Sequence, residues 1–232
     1  GLRFIPTVRV PDGPFTPEDS VKLDITASKR VEEVIGEIRP RWVINTAAKT
    51  SVDGCERDSA DARSVNVRGT QNLAEACDRT GSGLIFISTN YVFDGSSGPY
   101  AEEDEPNPLN VYGQTKLEGE RAVLDAGCPG IVVRTAVLYG YDPNSRPNFV
   151  TWVAGSVADR KRIRVVTDEW ANPTYVDELA AFVIGLCQDD FKGVVHFCGR
   201  DFLSRYEMAS EICSCFHLDF ELVSPTTSAE LA

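Results

Sequence analysis

Three short runs of this sequence are mostly apolar and show no polar–apolar alternation, at residues 42–44, 84–88 and 131–136. Between them, apolar residues recur at helical spacing over residues 60–79 and 112–124. Strands that are apolar on both faces, alternating with helices, are typical of a parallel sheet that is covered by helices on each side. The pattern therefore predicts an α/β fold with a doubly wound, Rossmann-like parallel sheet.

The alternation extends to both ends of the chain and loosens after Gly140. We therefore predict a Rossmann-like domain over residues 1–140 and a smaller lobe over residues 141–232, partly interleaved with the first. The lobe is expected on the carboxyl ends of the strands, where α/β folds bind ligands. The other predicted elements are strands at 3–9, 21–25, 163–166 and 194–197 and helices at 29–38, capped by Thr26, and at 149–159, 176–188 and 205–216.

One signature of dinucleotide-binding folds does not occur in the sequence. Such folds open with a strand, a glycine-rich turn and a helix whose N-terminus holds the pyrophosphate. The chain contains no G-x-G-x-x-G and no G-x-x-G-x-x-G. We therefore expect the chain to begin at the second strand of the fold, without the first strand and its glycine-rich turn.

Charge and cysteine content disfavour several classes of function. The sequence has 23 basic and 35 acidic residues. Its net charge of −12 repels phosphate backbones and anionic membrane surfaces. No apolar run approaches the ~20 residues that span a bilayer, and residues 1–10 do not resemble a secretory leader. Seven dispersed cysteines indicate free thiols. We expect a cytoplasmic protein that binds no nucleic acid, no membrane and no metal.

Tyr112 and Lys116 lie four residues apart in a predicted helix, which places both side chains on one face. A neighbouring ammonium stabilises a phenolate and lowers the pKa of a tyrosine from about 10. Thr89 follows the buried strand of residues 84–88, so its hydroxyl is expected at the edge of the sheet where that helix begins. A hydroxyl, a phenol and an ammonium are what the reduction of a ketone requires when a nicotinamide supplies the hydride.

The residues around this trio form a long and specific motif. The chain reads Thr-Asn-Tyr-Val-Phe-Asp-Gly over residues 89–95 and Val-Tyr-Gly-Gln-Thr-Lys-Leu-Glu-Gly-Glu over residues 111–120. Shorter matching segments are Leu-Asp-Ile at 23–25, Asn-Thr-Ala-Ala at 45–48, Val-Asn-Val-Arg-Gly-Thr at 65–70 and Asn-Pro-Thr at 172–174. Together they resemble the extended short-chain dehydrogenase/reductases, and within them the dTDP-4-dehydrorhamnose reductase family.

The resemblance implies a role for each matching residue. It implies that Tyr112 is the proton donor, that Lys116 binds the nicotinamide ribose and lowers the pKa of Tyr112, and that Thr89 bonds the keto oxygen of the substrate. The resemblance also implies that Asn66 stabilises the edge of the sheet. The other residues implied in binding are Asp24, Ile25, Ala47, Ala48 and Lys49 for the cofactor and Asn90, Tyr91 and Thr174 for a nucleotide-sugar.

Several of these residues have simpler interpretations, which the sequence leaves open. Asp24 suits a helix cap, Asn66 could bond only backbone, and residues 172–174 could form only a turn. NADP(H) is the expected cofactor, with NAD(H) as the alternative. Residues 7–9 offer no carboxylate for a ribose 2′-hydroxyl, and Arg9 either contacts the 2′-phosphate of NADP or is exposed to solvent.

Two departures from the family pattern limit the prediction of the substrate. Asn90 stands where these reductases carry Asp, and Val137 stands where they carry Trp. The resemblance therefore implies hydride transfer to C4 of a nucleotide-linked 4-keto-6-deoxy sugar without specifying the sugar. Residues 192–209 are similar to the non-catalytic regulatory beta subunit of methionine adenosyltransferase, whose partner is the catalytic subunit. The sequence leaves two alternative functions open, this regulatory role and that of a nucleotide-sugar epimerase. It also leaves open whether the protein forms a homodimer.

Overall fold

The structure is a computed structural model, and it describes residues 3–9, 20–143 and 147–231. Its strands are β1 (Thr7–Val8), β2 (Val21–Lys22), β3 (Trp42–Asn45), β4 (Gly83–Thr89), β5 (Gly130–Thr135), β6 (Leu138–Tyr139), β7 (Ile163–Val166), β8 (Trp170–Ala171), β9 (Thr174–Tyr175), β10 (Gly193–His196), β11 (Leu203–Ser204) and β12 (Val223–Thr226). Its helices are α1 (Ser28–Ile38), α2 (Val52–Arg57), α3 (Ser59–Arg63), α4 (Thr70–Thr80), α5 (Val111–Leu124), α6 (Phe149–Ala158), α7 (Val176–Leu186), α8 (Arg205–Cys215) and α9 (Ser228–Leu231).

The elements group into two compact units, of which the first comprises residues 1–134 and 185–196. It is built on a parallel sheet with the strand order β3-β4-β5-β10. Leu84, Ile85 and Phe86 of β4 are all fully buried. Since successive side chains of a strand point to opposite faces, this burial requires cover on both faces of the sheet. The structure thus confirms the predicted α/β fold with a parallel sheet.

Helices α1, α4 and α5 supply the cover on one face of this sheet. Val31 and Val34 of α1, Leu73 of α4 and Val123 of α5 pack with Phe86 in one apolar cluster. Burying an aliphatic or aromatic side chain of this kind contributes roughly 1.5–3 kcal/mol to folding. The periodic apolar residues of α1 and α4 therefore pack these helices against one face of the sheet, and the loops lie at its carboxyl edge.

The helix predicted over residues 60–79 is present, but it is not uniform. It begins as α3 at Ser59, passes through a π-helical turn over Ser64–Gly69 and continues as α4 to Thr80. A π-helical turn inside a helix is rare and occurs frequently at functional sites. Here the turn contains a buried polar side chain, Asn66.

The second unit comprises residues 135–184 and 197–232. Its strands pair two by two, β6 with β9 and β7 with β12 in parallel and β8 with β11 antiparallel. The core lies around α6 and α8, where Val153 and Val157 pack with Met208 and Ile212. Within the described part of the chain, no helix combines the length and the apolar character that crossing a membrane needs.

Two predictions near the start of the chain need correction. The strands predicted at 3–9 and 21–25 are limited to Thr7–Val8 and Val21–Lys22, which pair in parallel. Thr26 does not cap α1, whose N-cap residue is Ala27, without a side-chain cap. Instead the Thr26 hydroxyl and backbone N–H donate to Asp24 Oδ1 at 2.7 and 2.9 Å. Asp24 therefore closes a local turn after β2.

Several short elements were not predicted: the helices α2 and α9 and the strands β6, β8, β9, β11 and β12. Helix α2 has only two apolar residues besides a glycine, Val52 and Cys55, so it carries no helical periodicity. The polar strand β12 pairs with β7 along its length. Pro225 is tolerated in it because both strands of a two-stranded sheet are edges.

Candidate active site

Two buried asparagines fix the segment that follows β3. Asn45 Oδ1 accepts the backbone N–H of Ala47 at 3.1 Å. Asn66 Oδ1 accepts the N–H of Lys49 at 2.7 Å, and Asn66 Nδ2 donates to the Lys49 carbonyl at 3.1 Å. Hydrogen bonds with the two asparagines therefore stabilise one loop at the carboxyl end of β3, which contains Ala47, Ala48 and Lys49.

Asn66 also connects this loop to α5. Its Nδ2 donates to Thr115 Oγ1 at 2.9 Å, so the side chain bonds a hydroxyl as well as backbone groups. This answers the question that the sequence left open about Asn66. The Nζ of Lys49 forms an ion pair with Asp61 on α3.

Asp24 and Ile25 follow β2, and Arg9 follows β1. Hydrogen bonds from Thr26 lower the pKa of the Asp24 carboxyl, and the positive charge of Arg9 adds to this effect. Ile25 is buried, and its carbonyl accepts a hydrogen bond of 2.8 Å from Asn72. Arg9 itself is exposed. The structure thus places an exposed guanidinium close enough to the Asp24 carboxylate to act on it, and a role of either residue in cofactor binding stays a prediction.

Thr89 ends β4, Tyr112 lies in the first turn of α5, and a hydrogen bond joins their side chains. Helix α5 begins here because Asn110 caps it, its side chain accepting the Gly113 N–H at 2.8 Å. The Thr89 hydroxyl also accepts the backbone N–H of Tyr91 at 3.2 Å. The hydroxyl and the phenol are therefore held together at the carboxyl edge of the sheet.

Asn90 and Tyr91 border this pair. The rings of Tyr91 and Tyr112 meet edge to face, with centroids 5.8 Å apart, and Thr89 Oγ1 lies 3.4 Å from Asn90 Oδ1. A Cβ atom at Gly113 would lie 2.1 Å from the Tyr91 carbonyl oxygen. Only glycine at this position allows α5 to start so close to the turn after β4.

The ionisation of Tyr112 differs from the sequence-based expectation. Burial raises the pKa of Tyr112 above its ordinary value, and the hydrogen bond with Thr89 only opposes this rise. The expected lowering by Lys116 does not dominate because Lys116 Nζ is directed to the Ile87 carbonyl, to which it donates at 2.7 Å. Tyr112 is therefore a protonated phenol at neutral pH.

Lys116 is buried in the contact between α5 and β4. Only 2% of the residue is exposed, and Nζ lies 3.8 Å from the centre of the Phe86 ring. Burial lowers the pKa of Lys116 to about 7, while the charge of Glu120 opposes this shift. Near neutral pH, Lys116 therefore lies between its charged and neutral forms.

Sequence reasoning missed a buried ion pair one turn beyond Lys116. Glu120 and Arg134 are 1% and 6% exposed, and Arg134 Nη2 lies 2.7 Å from Glu120 Oε2. The hydroxyl of Ser88 donates to Glu120 Oε1 at 2.5 Å. The repeat of Tyr112, Lys116 and Glu120 at four-residue intervals puts all three on one helix face and could have revealed Glu120, but not its partner Arg134.

In the second unit, Thr174 lies in β9 and is 1% exposed. Its hydroxyl donates to the Asn172 carbonyl at 3.2 Å, and its N–H donates to the Val137 carbonyl at 3.1 Å. In this structure Thr174 therefore holds β9 in place, and its contact with a substrate stays a prediction.

The same unit contains a cavity of about 500 Å³. Its walls combine aromatic rings with charged groups, and the residues that matter here are Phe149, Trp152, Arg164, Glu169 and Arg205. The Arg205 guanidinium lies 5.1 Å from the centre of the Phe149 ring and 3.6 Å from a Glu169 carboxylate oxygen. This combination suits a ligand with a flat ring and negative charge.

Comparison with known proteins assigns the chain to a family. The sequence profile of the RmlD substrate binding domain matches residues 7–232. The dTDP-4-dehydrorhamnose reductase of Aggregatibacter actinomycetemcomitans is 39% identical over 201 residues, which cover 84% of this chain and 67% of the relative. Methionine adenosyltransferase 2 subunit beta of Bos taurus is 34% identical over 215 residues, which cover 90% of this chain and 64% of that subunit.

A solved structure supports the same assignment. The crystal structure of dTDP-4-dehydrorhamnose reductase from Bacillus anthracis in complex with NADP matches with a TM-score of 0.87 and 33% identity, covering 94% of this chain and 79% of that one. Its bound NADP is the cofactor predicted from the sequence. The chain thus belongs to the RmlD substrate-binding domain family of extended short-chain dehydrogenase/reductases, which includes NAD(P)-dependent oxidoreductases, as the motif from Thr89 to Glu120 predicted.

Proposed function

We propose that this protein reduces a nucleotide-linked 4-keto-6-deoxy sugar with NADPH, with hydride added to C4 and the proton given by Tyr112. The observation that carries the proposal is the hydrogen-bonded pair of Thr89 and Tyr112 with Lys116 one turn further along α5. The relatives named dTDP-4-dehydrorhamnose reductase support the substrate class. The chain spans only about two thirds of their length, so the activity of the whole protein is part of the proposal.

The first unit offers the donors that a nicotinamide dinucleotide needs. When bound, the cofactor supplies a hydride to the carbonyl carbon. Arg9, beside Asp24, would hold the adenosine end, and its positive charge is the reason to prefer NADP(H) over NAD(H). Ile25 and the loop from Ala47 to Lys49 would flank the dinucleotide, and Lys116 would bind the nicotinamide ribose.

The proton step rests on Tyr112 and Thr89. Because its pKa is raised, Tyr112 carries its proton at neutral pH and can give it to the alkoxide oxygen that forms at C4. Thr89 would donate a hydrogen bond to the same oxygen and stabilise its developing charge. A charged Lys116 would stabilise the phenolate left on Tyr112.

We propose that the cavity of the second unit binds a nucleotide. Phe149 and Trp152 can stack on a base, and Arg164 and Arg205 can bond a diphosphate. Asn90, Tyr91 and Thr174 remain the residues proposed to contact the sugar.

The test is the oxidation of NADPH in the presence of a dTDP-4-keto-6-deoxy sugar, followed by absorbance. Tyr112→Phe should lower turnover by about two to four orders of magnitude and leave NADPH binding nearly intact. Tyr206→Phe is a matched control, since the Tyr206 ring packs on Phe220 in the second unit, and it should keep full turnover. Unchanged turnover in Tyr112→Phe would remove Tyr112 from the mechanism.

A second candidate function follows from the similarity to methionine adenosyltransferase 2 subunit beta. If the protein is a regulatory subunit, it should bind NADPH saturably without sugar-dependent oxidation and should be retained by the catalytic subunit in a pull-down. An epimerase would convert the sugar without net oxidation of NADPH. The same assay therefore separates all three functions.

We also propose a cytoplasmic location. All seven cysteines are unpaired, as expected in a reducing compartment. Fractionation of the source cells with an antibody against the chain tests this proposal.

A further inference from the structure

Glu120 takes no part in the reaction proposed above, yet it is among the largest side chains that are fully buried. We infer that Glu120, anchored by Arg134 and Ser88, is a positioning residue that keeps Lys116 in its ammonium form. The role of Lys116 in this inference rests on the proposed function. The effect of Glu120 on Lys116 does not, and it can be measured without turnover.

The geometry places three functional groups in one row. Tyr112, Lys116 and Glu120 follow one another at intervals of one turn on α5. Each of these side chains contacts the end of β4. Tyr112 forms a hydrogen bond with Thr89, Lys116 donates to the Ile87 carbonyl, and Glu120 accepts from the Ser88 hydroxyl. The phenol, the ammonium and the carboxylate therefore contact three consecutive residues at the end of β4.

The Glu120 carboxylate accepts several hydrogen bonds from one guanidinium. Arg134 donates to it from Nε at 3.0 and 3.2 Å and from Nη2 at 2.7 Å. Nη1 of Arg134 in turn contacts the Glu102 carbonyl and His196 Nε2, each at 3.4 Å. A buried charge without partners costs several kcal/mol, and this arrangement supplies those partners and fixes the position of the Glu120 carboxylate.

The charges around Lys116 come from several elements. The charge of Glu120 on α5 acts on Lys116 directly. Arg134 on β5 pairs with Glu120, and Tyr91 in the turn after β4 and Cys55 on α2 lie near Tyr112. Burial raises the pKa of the Cys55 thiol, so this thiol stays neutral.

Among the described residues, Glu120 is thus the negative charge that faces Lys116. Without Glu120, two buried cations, Lys116 and Arg134, would remain with no anion between them. Because arginine does not give up its proton, Lys116 would lose its own.

A purely structural role would predict something different. If the ion pair only joined α5 to β5, its loss would lower stability and leave the ionisation of Lys116 unchanged. The ionisation of Lys116 therefore decides between the two roles.

The experiment is an NMR titration of protein labelled with ¹³C at lysine Cε. The sequence has six lysines, and Lys116→Met assigns the signal of Lys116. In Glu120→Gln the pKa of Lys116 should fall by about 1 unit or more, since an opposite charge at this range shifts a pKa by about 1–3 units. The matched control is Glu118→Gln on the same helix, where Glu118 pairs with Arg63 at the surface. It should leave the titration unchanged.

A second variant keeps the test decisive if Glu120→Gln does not fold. In Arg134→Gln the charge of Glu120 is no longer shared with Arg134, so the pKa of Lys116 should rise. An unchanged titration of Lys116 in folded Glu120→Gln, or a fall in Arg134→Gln, would overturn the inference.

Turnover supplies an independent readout. If the reductase is active, Glu120→Gln should move the alkaline decline of kcat to lower pH, because Lys116 then loses its charge at lower pH. If the unaltered protein shows no turnover, the proposed function fails while the NMR titration still tests Glu120.

Discussion

The charged groups at the contact of α5 with β4 and β5 are buried, whereas those around the cavity of the second unit range from partly to mostly exposed. Lys116, Glu120 and Arg134 have almost no accessible surface, but the side chains of the Arg164–Glu230 pair are 53% and 62% exposed. A buried charge depends on its partners for several kcal/mol, while an exposed ion pair contributes about 0–1 kcal/mol. The buried groups along α5 therefore determine one another's protonation. The charges around the cavity of the second unit are instead available to a ligand.

The largest expected effect concerns the burial of Lys116. Its pKa of about 7 in the folded chain lies below the ordinary 10.5, so the unfolded chain binds more protons between these values. Stability should therefore rise with pH from about 7 to 10, by up to roughly 4 kcal/mol from this group. In Lys116→Met that part of the rise should vanish.

Urea unfolding at several pH values from 7 to 10 measures this effect. Lys161→Met removes an exposed lysine and should leave the rise intact. An equal rise in Lys116→Met and in the unaltered protein would show that Lys116 is not the source of the pH dependence.

The next effect concerns Asn66, the buried amide of the same region. Asn66→Ala should lower the free energy of unfolding by about 3 kcal/mol, because it leaves the backbone of Lys49 and the Thr115 hydroxyl without their partner. Gln114→Ala removes an exposed amide from α5 and should change stability by less than about 0.5 kcal/mol. Equal losses in the two variants, measured by urea unfolding, would contradict the contrast between buried and exposed groups.

The second region should respond in affinity and not in stability. Arg164→Gln and Arg205→Gln should each change the free energy of unfolding by less than about 1 kcal/mol. Each should weaken the binding of dTDP about tenfold, and this loss should shrink as salt is added, because exposed charges are screened. Calorimetric titration at low and high salt measures both. A loss of stability above about 2 kcal/mol would place these arginines with the buried groups.

The smallest expected effect concerns the backbone conformation of Arg39, which lies outside both regions. Arg39 caps the C-terminus of α1 with a φ of 46°, and it is exposed. A left-handed conformation costs a residue with a side chain roughly 1 kcal/mol more than it costs glycine. Arg39→Gly should therefore stabilise the chain by up to about 1 kcal/mol in urea unfolding, and a loss of stability would contradict this account.

Much of the fold could be predicted from the sequence, because its signals are local. The strands β4 and β7 and the helices α1, α5 and α8 lie where apolar periodicity placed them, within one or two residues. The errors occurred where that signal is weak. Helix α2 has few apolar residues, β12 is polar, and the turn at Asp24 ends β2 early through a side-chain hydrogen bond.

The site was predictable only in part. Thr89, Tyr112 and Lys116 could be predicted because each lies at the end of a strand or in the first turns of a helix, and parallel topology brings those positions to one edge. The partnerships that hold them are distant in sequence. Asn66 bonds Thr115 across 49 residues and Ser88 bonds Glu120 across 32, and no pattern in the sequence marks such pairs.

The sequence by itself determined the parallel sheet, the family and the chemical types at the site, because burial patterns and short motifs depend on near neighbours. Only the tertiary structure decided how those groups ionise. The spacing of Tyr112 and Lys116 predicted a lowered phenol pKa, but the folded chain raises it. Ionisation depends on burial and on the distances between charges, and both are set by the packing of α5 against β4 and not by the order of residues along the chain.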